Sequence, residues 1–321
     1  MKTYIIGAND AGQRIDKYLT KTLPDLPKTL MYKYLRTKHI KLNGKKADIS
    51  TKLCEGDRVD MYIKDEFFTE RKKKYSFMSA GKQLNIIYED DNILVLDKPA
   101  GLLSHPDEGE YNDTLITRAQ RYLYEKGEYL PGEEASFAPA LANRIDRNTA
   151  GIVLAAKNAE SLRILNEKIK EREIKKLYLC VTVGIPSPAE GVLEGYLLKD
   201  EKKNTVRITA KPVEGARSIK TKYKVLKSGN GLSLVEVDLL TGRTHQIRAH
   251  FASIGCPLLG DGKYGRNELN KSHGGYKKQF LASYKTIFEF QTDAGILNYL
   301  RGNEFEIPSV WFRDDFDNIQ K

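Results

Sequence analysis

The sequence predicts an α+β protein: a mixed, largely antiparallel sheet with flanking helices, preceded by a small helix-helix-hairpin unit. Two turn signatures carry the antiparallel part. Asn43-Gly44 and Ser228-Gly229-Asn230-Gly231 each lie between short alternating segments, and Asn-Gly supplies the paired positive φ angles of a tight type I′ hairpin. Segments with apolar residues at helical spacing recur between the strand-like ones, which favours this class over a doubly wound parallel sheet. Charge then divides the chain. Residues 1–83 hold 19 Lys and Arg against 10 Asp and Glu, a net of +9, whereas residues 84–321 hold 34 against 33. We therefore expect a basic unit over 1–63, a basic linker over 64–83 and a large domain over 84–321.

With 321 residues and 40% hydrophobic content, the chain can bury a full core. No apolar stretch reaches the ~18 residues a membrane span needs, and residues 1–10 lack the pattern of a signal peptide, so the expected location is cytoplasmic, away from any membrane. Cys54, Cys180 and Cys256 are too few and too scattered for a disulfide framework or a zinc knuckle. His245 and His250 are five apart with no completing ligands, so no metal is expected. Neither a Gly-x-Gly-x-x-Gly turn nor a phosphate loop with its Lys is present, which leaves nucleotide cofactors unsupported.

In the first unit, residues 12–22 and 28–37 carry apolar residues at helical spacing (Ile15, Tyr18, Leu19; Leu30, Tyr34, Leu35) and leave Arg14, Lys17, Lys33 and Arg36 for other faces. Ile40-Lys41-Leu42 and Lys45-Lys46-Ala47 flank Asn43-Gly44 as a basic hairpin, and residues 58–63 read as a strand. A concentrated positive field is the electrostatic footprint of a polyanion binder. This arrangement over residues 12–63 resembles the alpha-L RNA-binding fold, first named for the fourth ribosomal small-subunit protein. The resemblance implicates Lys28, Lys33, Arg36, Lys38, Lys41, Lys45 and Lys46 in docking to RNA phosphates. Residues 64–83, with the run Arg71-Lys72-Lys73-Lys74, lack a period and read as a tether.

From Asn85 onward strands and helices interleave. Residues 93–96 form an apolar strand that ends at Asp97-Lys98-Pro99-Ala100-Gly101, where Pro and Gly force a turn. A helix follows over 113–124 and a loop over 127–135. The run Ile152 to Ala156 reads as a buried strand, 159–171 as a helix and 176–183 as a strand. Residues 218–227 and 232–240 are the arms of the second hairpin. A helix then runs between Thr244, a candidate amino-terminal cap, and Gly255. Its expected apolar face is Ile247, His250, Phe251 and Ile254, with His245 and Arg248 together on the opposite side.

Two polar segments carry the chemistry. Residues 143–151 read Asn-Arg-Ile-Asp-Arg-Asn-Thr-Ala-Gly and place the carboxylate of Asp146 at the mouth of the buried strand, between Arg144 and Arg147. Beside permanent positive charge a carboxylate stays ionised and keeps its lone pairs available. The second segment runs from Leu240 to His250, and Arg243, Thr244 and Gln246 at the positive end of its helix could cradle a phosphate or a base edge.

Five motifs in order, Lys98-Pro99-Ala100-Gly101, residues 143–151, Lys176-Leu177-Tyr178, residues 241–248 and Gly260-Asp261-Gly262-Lys263-Tyr264-Gly265, resemble the RluA family of ribosomal RNA pseudouridine synthases. The resemblance implies that uridine in RNA is isomerised without a cofactor: the base is detached from its ribose, turned and rejoined through carbon. Asp146 matches the family's essential aspartate, which the resemblance implies acts as nucleophile, or as base, at the ribose or the uracil, with the anomeric centre the expected point of attack; Arg248 matches the arginine that pairs with it, and Tyr178 the tyrosine that packs on uracil and assists the final proton removal. A stacked uridine is out of reach, so a flipped base is expected, with Arg144, Arg243, His245 and Gln246 contacting RNA or the pocket. Ribosomal RNA is the expected partner, transfer RNA the alternative, and a monomer the default.

Two positions depart from the family's pattern, Asn143 where His is usual and Ala150 where Ser is usual. Neither touches the carboxylate or its arginine. A noncatalytic RNA binder would not need Asp146, Tyr178 and Arg248 together. An RNA methyltransferase would need a glycine-rich cofactor loop that the chain lacks.

Overall fold

The computed structural model describes residues 1–68, 75–131, 136–200, 205–265, 267–272 and 274–319. The basic run of the tether, Arg71 to Lys74, and the end of the loop over 127–135 lie outside the described residues.

The amino-terminal unit has its own core. Strand β1 (Lys2–Ile5) leads to helices α1 (Ile15–Thr22) and α2 (Lys28–Arg36), then to β2 (Ile40–Leu42) and β3 (Arg58–Met61). Ile15, Tyr18, Leu19, Met31, Leu35, Ile40, Val59 and Met61 bury together, so both helices turn their apolar stripes onto the small sheet. Asn43 (φ 50°) and Gly44 (φ 74°) form the expected tight turn. The chain beyond it differs from expectation: only Leu42 and Lys45 bridge, and β2 pairs instead with β3, in the order β1-β3-β2. β1 gave little signal because it is an exposed edge strand.

The second sheet begins with β4 (Asn85–Glu89) and β5 (Ile93–Lys98), followed by α3 (Leu115–Glu125), β6 (Ala140–Leu141), β7 (Ala150–Ala156), α4 (Ala159–Lys170) and β8 (Ile174–Val183). It continues through β9 (Glu190–Asp200), β10 (Thr205–Thr209), β11 (Arg217–Gly229), β12 (Leu232–Leu239), α5 (Gln246–Ser253), β13 (Leu281–Phe288) and β14 (Glu304–Glu306). The spatial order is β10-β9-β11-β12-β8-β13-β7-β5-β4, with β6 beside β7 and β14 beside β13. The β13–β7 pair is parallel and the other described pairs are antiparallel, which makes the sheet mixed and largely antiparallel.

Both faces of the central strands are buried, and this explains their continuous apolar runs. Ile152, Leu154, Leu179 and Val181 face one core with Leu165 of α4 and Phe288. Val153, Ala155, Tyr178 and Cys180 face the other, with Leu115 and Leu123 of α3 and Ile247 and Phe251 of α5. Thr114 and Asn158 cap α3 and α4 with their side chains.

Polar contacts join the two units. Asn9 Oδ1 accepts from the Ala159 N–H at the start of α4 (3.1 Å), Arg163 Nη1 donates to Ala11 O (3.0 Å), and Gln13 Nε2 donates to Ser136 Oγ (2.7 Å). The three cysteines are free thiols. No described helix is long and apolar enough to cross a membrane.

Candidate active site

Asp146 sits in a turn clamped at both neighbours. Ser104 Oγ donates to Ile145 O (3.0 Å), and Lys98 Nζ donates to Arg147 O (3.0 Å), Leu102 O (2.7 Å) and Pro99 O (3.1 Å). Lys98 is fully buried, and burial pushes its ammonium down to about 7. The turn after β5 is thereby stitched to the turn before β7, and the Asp146 backbone is fixed.

The carboxylate is held from one side. Arg248 Nη1 donates to Asp146 Oδ2 (2.9 Å), and the rest of its guanidinium forks onto Asp261, Nε to Oδ2 at 2.7 Å and Nη2 to Oδ1 at 2.9 Å. Asp261 is fully buried and also accepts from the Lys263 and Tyr264 N–H groups at 2.9 and 3.2 Å. Burial pushes its carboxyl up, but the Arg248 guanidinium outweighs this and holds it below the usual range. Asp146 stays partly open, its side chain 26% exposed, and Oδ1 has no partner among the described residues.

Asp146 opens into a cleft of about 660 Å³ lined by Arg144, Tyr178, Arg243, His245 and Arg248. Tyr178 is buried on β8, and desolvation with the nearby Asp146 charge pushes its phenol up to about 12, with Ser283 opposing. At neutral pH it stays a phenol. His245 Nε2 lies 3.8 Å from Asp146 Oδ2, and burial lowers its pKa, so the imidazole is neutral. The far wall carries Lys170, Arg172, Lys175 and Lys176; Lys175 pairs with Asp238 at 3.7 Å, and Lys176 has no partner among the described residues.

The helix bearing Arg248 differs from its expected form. α5 starts at Gln246, and the position before it is His245 in the left-handed region (φ 54°), so Thr244 is not the cap. Gln246, Ile247, Arg248, Ala249, His250 and Phe251 are all buried, and Ile254 is exposed, because α5 packs under β10 and β11 while its start closes the cleft. Gln246, expected at RNA or at the pocket, lines the cleft, and its amide is spent within the protein. Oε1 accepts from Thr241 Oγ1 (2.9 Å) and Arg243 N (3.1 Å), and Nε2 donates to Lys220 O (3.1 Å) and Thr221 Oγ1 (3.0 Å). It braces the 241–246 loop.

Arg144 and Arg243 are exposed on the cleft rim, and Arg147 turns away to donate to Gly101 O (3.0 Å). Asn143 Oδ1 accepts from Leu154 N (2.8 Å), a structural role in place of any charge. Lys33, Arg36 and Lys45 are exposed without carboxylate partners among the described residues, and Lys41 lies 5.0 Å over the Tyr62 ring. Asp261, Tyr264 and Lys98 were visible in the quoted motifs, but nothing in the sequence showed what they touch.

The chain is similar in sequence and in fold to known proteins. The sequence model of the family described as RNA pseudouridylate synthase matches residues 92–253, and that of the S4 domain matches residues 13–59. A ribosomal large subunit pseudouridine synthase C of Rickettsia bellii is 36% identical, covering 80% of this chain and 84% of that one. An uncharacterized RNA pseudouridine synthase of Mycoplasma genitalium is 31% identical, covering 89% and 88%. The solved structure of human RNA pseudouridylate synthase domain containing 4 shares the fold, with a TM-score of 0.57 at 23% identity over 74% of this chain and 92% of that one. The chain thus belongs to the RNA pseudouridylate synthase family, is an isomerase of uridine in RNA, and carries an S4 RNA-binding domain at its amino-terminal end.

Proposed function

We propose that this enzyme isomerises uridines of large-subunit ribosomal RNA, with Asp146 as the nucleophile on a flipped-out uridine. One observation carries the reading: the carboxylate, which lines the cleft, has one oxygen pinned by Arg248 and the other without a partner among the described residues. Oδ1 attacks the anomeric carbon as the N1–C1′ bond breaks and its electron pair leaves with the base. The base turns, C5 bonds to C1′ and the carboxylate is released. Loss of the C5 proton and gain of one at N1 leave an isomer. Tyr178, a neutral phenol, suits packing on the uracil and relaying that proton.

A base stacked in a helix cannot reach the recessed carboxylate, so the nucleotide enters unstacked. Arg144, Arg243 and His245 flank its path, and Lys33, Arg36, Lys41 and Lys45 hold more distant phosphates. The ribosomal target follows from the names of the relatives and from the S4 domain. The enzyme would act as a single chain in the cytoplasm.

The test is tritium release from RNA labelled at C5 of uracil. The protein should release tritium from large-subunit ribosomal RNA, and Asp146→Ala and Asp146→Asn should still bind that RNA but release none. Release by Asp146→Ala would sink the assignment. Pseudouridine mapping in cells lacking the protein decides between ribosomal and transfer RNA.

A further inference from the structure

His245 occupies a strained position next to the carboxylate, and the bonds around it fix where its proton lies. Its backbone is left-handed (φ 54°, ψ 16°), unusual for a residue with a side chain. Nδ1 contacts the Tyr264 hydroxyl at 2.8 Å, and the same hydroxyl accepts from the Val206 N–H of β10 at 2.9 Å. A phenol has one proton to give, and Nδ1 is the acceptor in place for it. Were Nδ1 protonated instead, the phenol proton would have no partner among the described residues. The proton of the neutral ring therefore belongs on Nε2. Nε2 is 3.8 Å from Asp146 Oδ2, too far for a hydrogen bond, and that oxygen is already taken by Arg248. The Nε2–H thus has no partner among the described residues and lies at the cleft, on the Oδ2 side of the carboxylate. Tyr264 is itself held, with the Arg248 guanidinium 5.1 Å over its ring.

We infer that His245, its tautomer set by Tyr264, donates a hydrogen bond from Nε2 to the uracil O2 of the target nucleotide. The inference rests on Asp146 acting at the anomeric carbon. When the N1–C1′ bond breaks, the electron pair left on the base spreads onto O2, the oxygen adjoining the broken bond. A donor already aimed there stabilises the charge as it develops. Tyr264 touches no substrate and is a positioning residue. It ties the tautomer to the register of β10.

Proton–nitrogen correlation spectra of the histidine-labelled enzyme read the tautomer directly. The wild-type His245 should carry its proton on Nε2, and Tyr264→Phe should give a mixture. A proton on Nδ1 in the wild type overturns the inference. In the tritium assay His245→Ala should lose kcat by about 100-fold, the loss typical of one missing donor to developing charge, with little change in KM for RNA. His245→Gln, which places an amide N–H near Nε2, should recover part of that loss. A merely structural role would raise KM and lower thermal stability alike in both variants, and that result also overturns it. If Asp146→Ala abolishes release while His245→Ala keeps the wild-type kcat, the proposed function stands and this inference fails.

Discussion

At the residue scale the site depends on how one guanidinium is divided between two carboxylates. Arg248 is 7% exposed and gives two nitrogens to Asp261 and one to Asp146. Removing Asp261 leaves a buried charge half unpaired, a loss of about 3–5 kcal/mol. Asp261→Ala should therefore lower the urea midpoint strongly and abolish tritium release, since Arg248 loses the fork that aims it. The pH dependence follows from the direction of the shift. The folded Asp261 carboxyl lies below its ordinary 3.8, so its stabilisation is present above that value and lost as pH falls through the folded one. Urea unfolding of wild type and Asp261→Asn should converge as pH is lowered below about 4.

The same scale shows what the sequence made legible. Asp146 and Arg248 were paired by resemblance across 102 residues, and the structure brings them into contact. Asp261 stayed without a role because its importance lies entirely in a partner on another element. Gln246 reads as a polar surface residue at a helix start, and only the loop wrapped around it shows that its amide is saturated.

At the element scale, the close approach of β7 and β13 positions the site. Gly151 (φ 107°) pairs with Ser283, which in turn pairs with Tyr178, so a glycine brings the strand after Asp146 within one strand of the tyrosine. A Cβ at Gly151 would fall 2.1 Å from Ser283 O. Gly151→Ala should destabilise the protein by about 3–5 kcal/mol, combining backbone strain with overpacking, as read by chemical unfolding. Elements with one clear period or a continuous apolar run were legible: α1, α2, α4, β5, β7 and the β11–β12 hairpin. β9 and β10 were not, because β9 alternates charged and half-buried residues at the margin of the sheet. α5 misled because its residues from Gln246 to Phe251 are all buried, which removes the amphipathic contrast that periodicity depends on.

At the scale of the whole molecule, residues 1–63 hold 13 Lys and Arg against 7 Asp and Glu, and this unit also meets the catalytic domain through Asn9, Ala11 and Gln13. None of its described cations lines the cleft. Neutralising Lys33, Arg36 and Lys45 together should lower the slope of log affinity against log salt by about 2 to 3, one counterion for each lost phosphate contact. The kcat at saturating RNA should be unchanged. A slope equal to wild type would show that RNA does not dock on this surface.

The insertion of β13 between β7 and β8 also sets the order in which the enzyme comes into being. Until residues 281–288 are made and seated, the strand that follows Asp146 and the strand that bears Tyr178 share no edge. A growing chain can complete its amino-terminal core early, since that core draws only on residues up to Phe68. The strand that follows Asp146 and the strand that bears Tyr178 are joined into one sheet only when β13, which lies more than a hundred residues later than either Asp146 or Tyr178, takes its place between them.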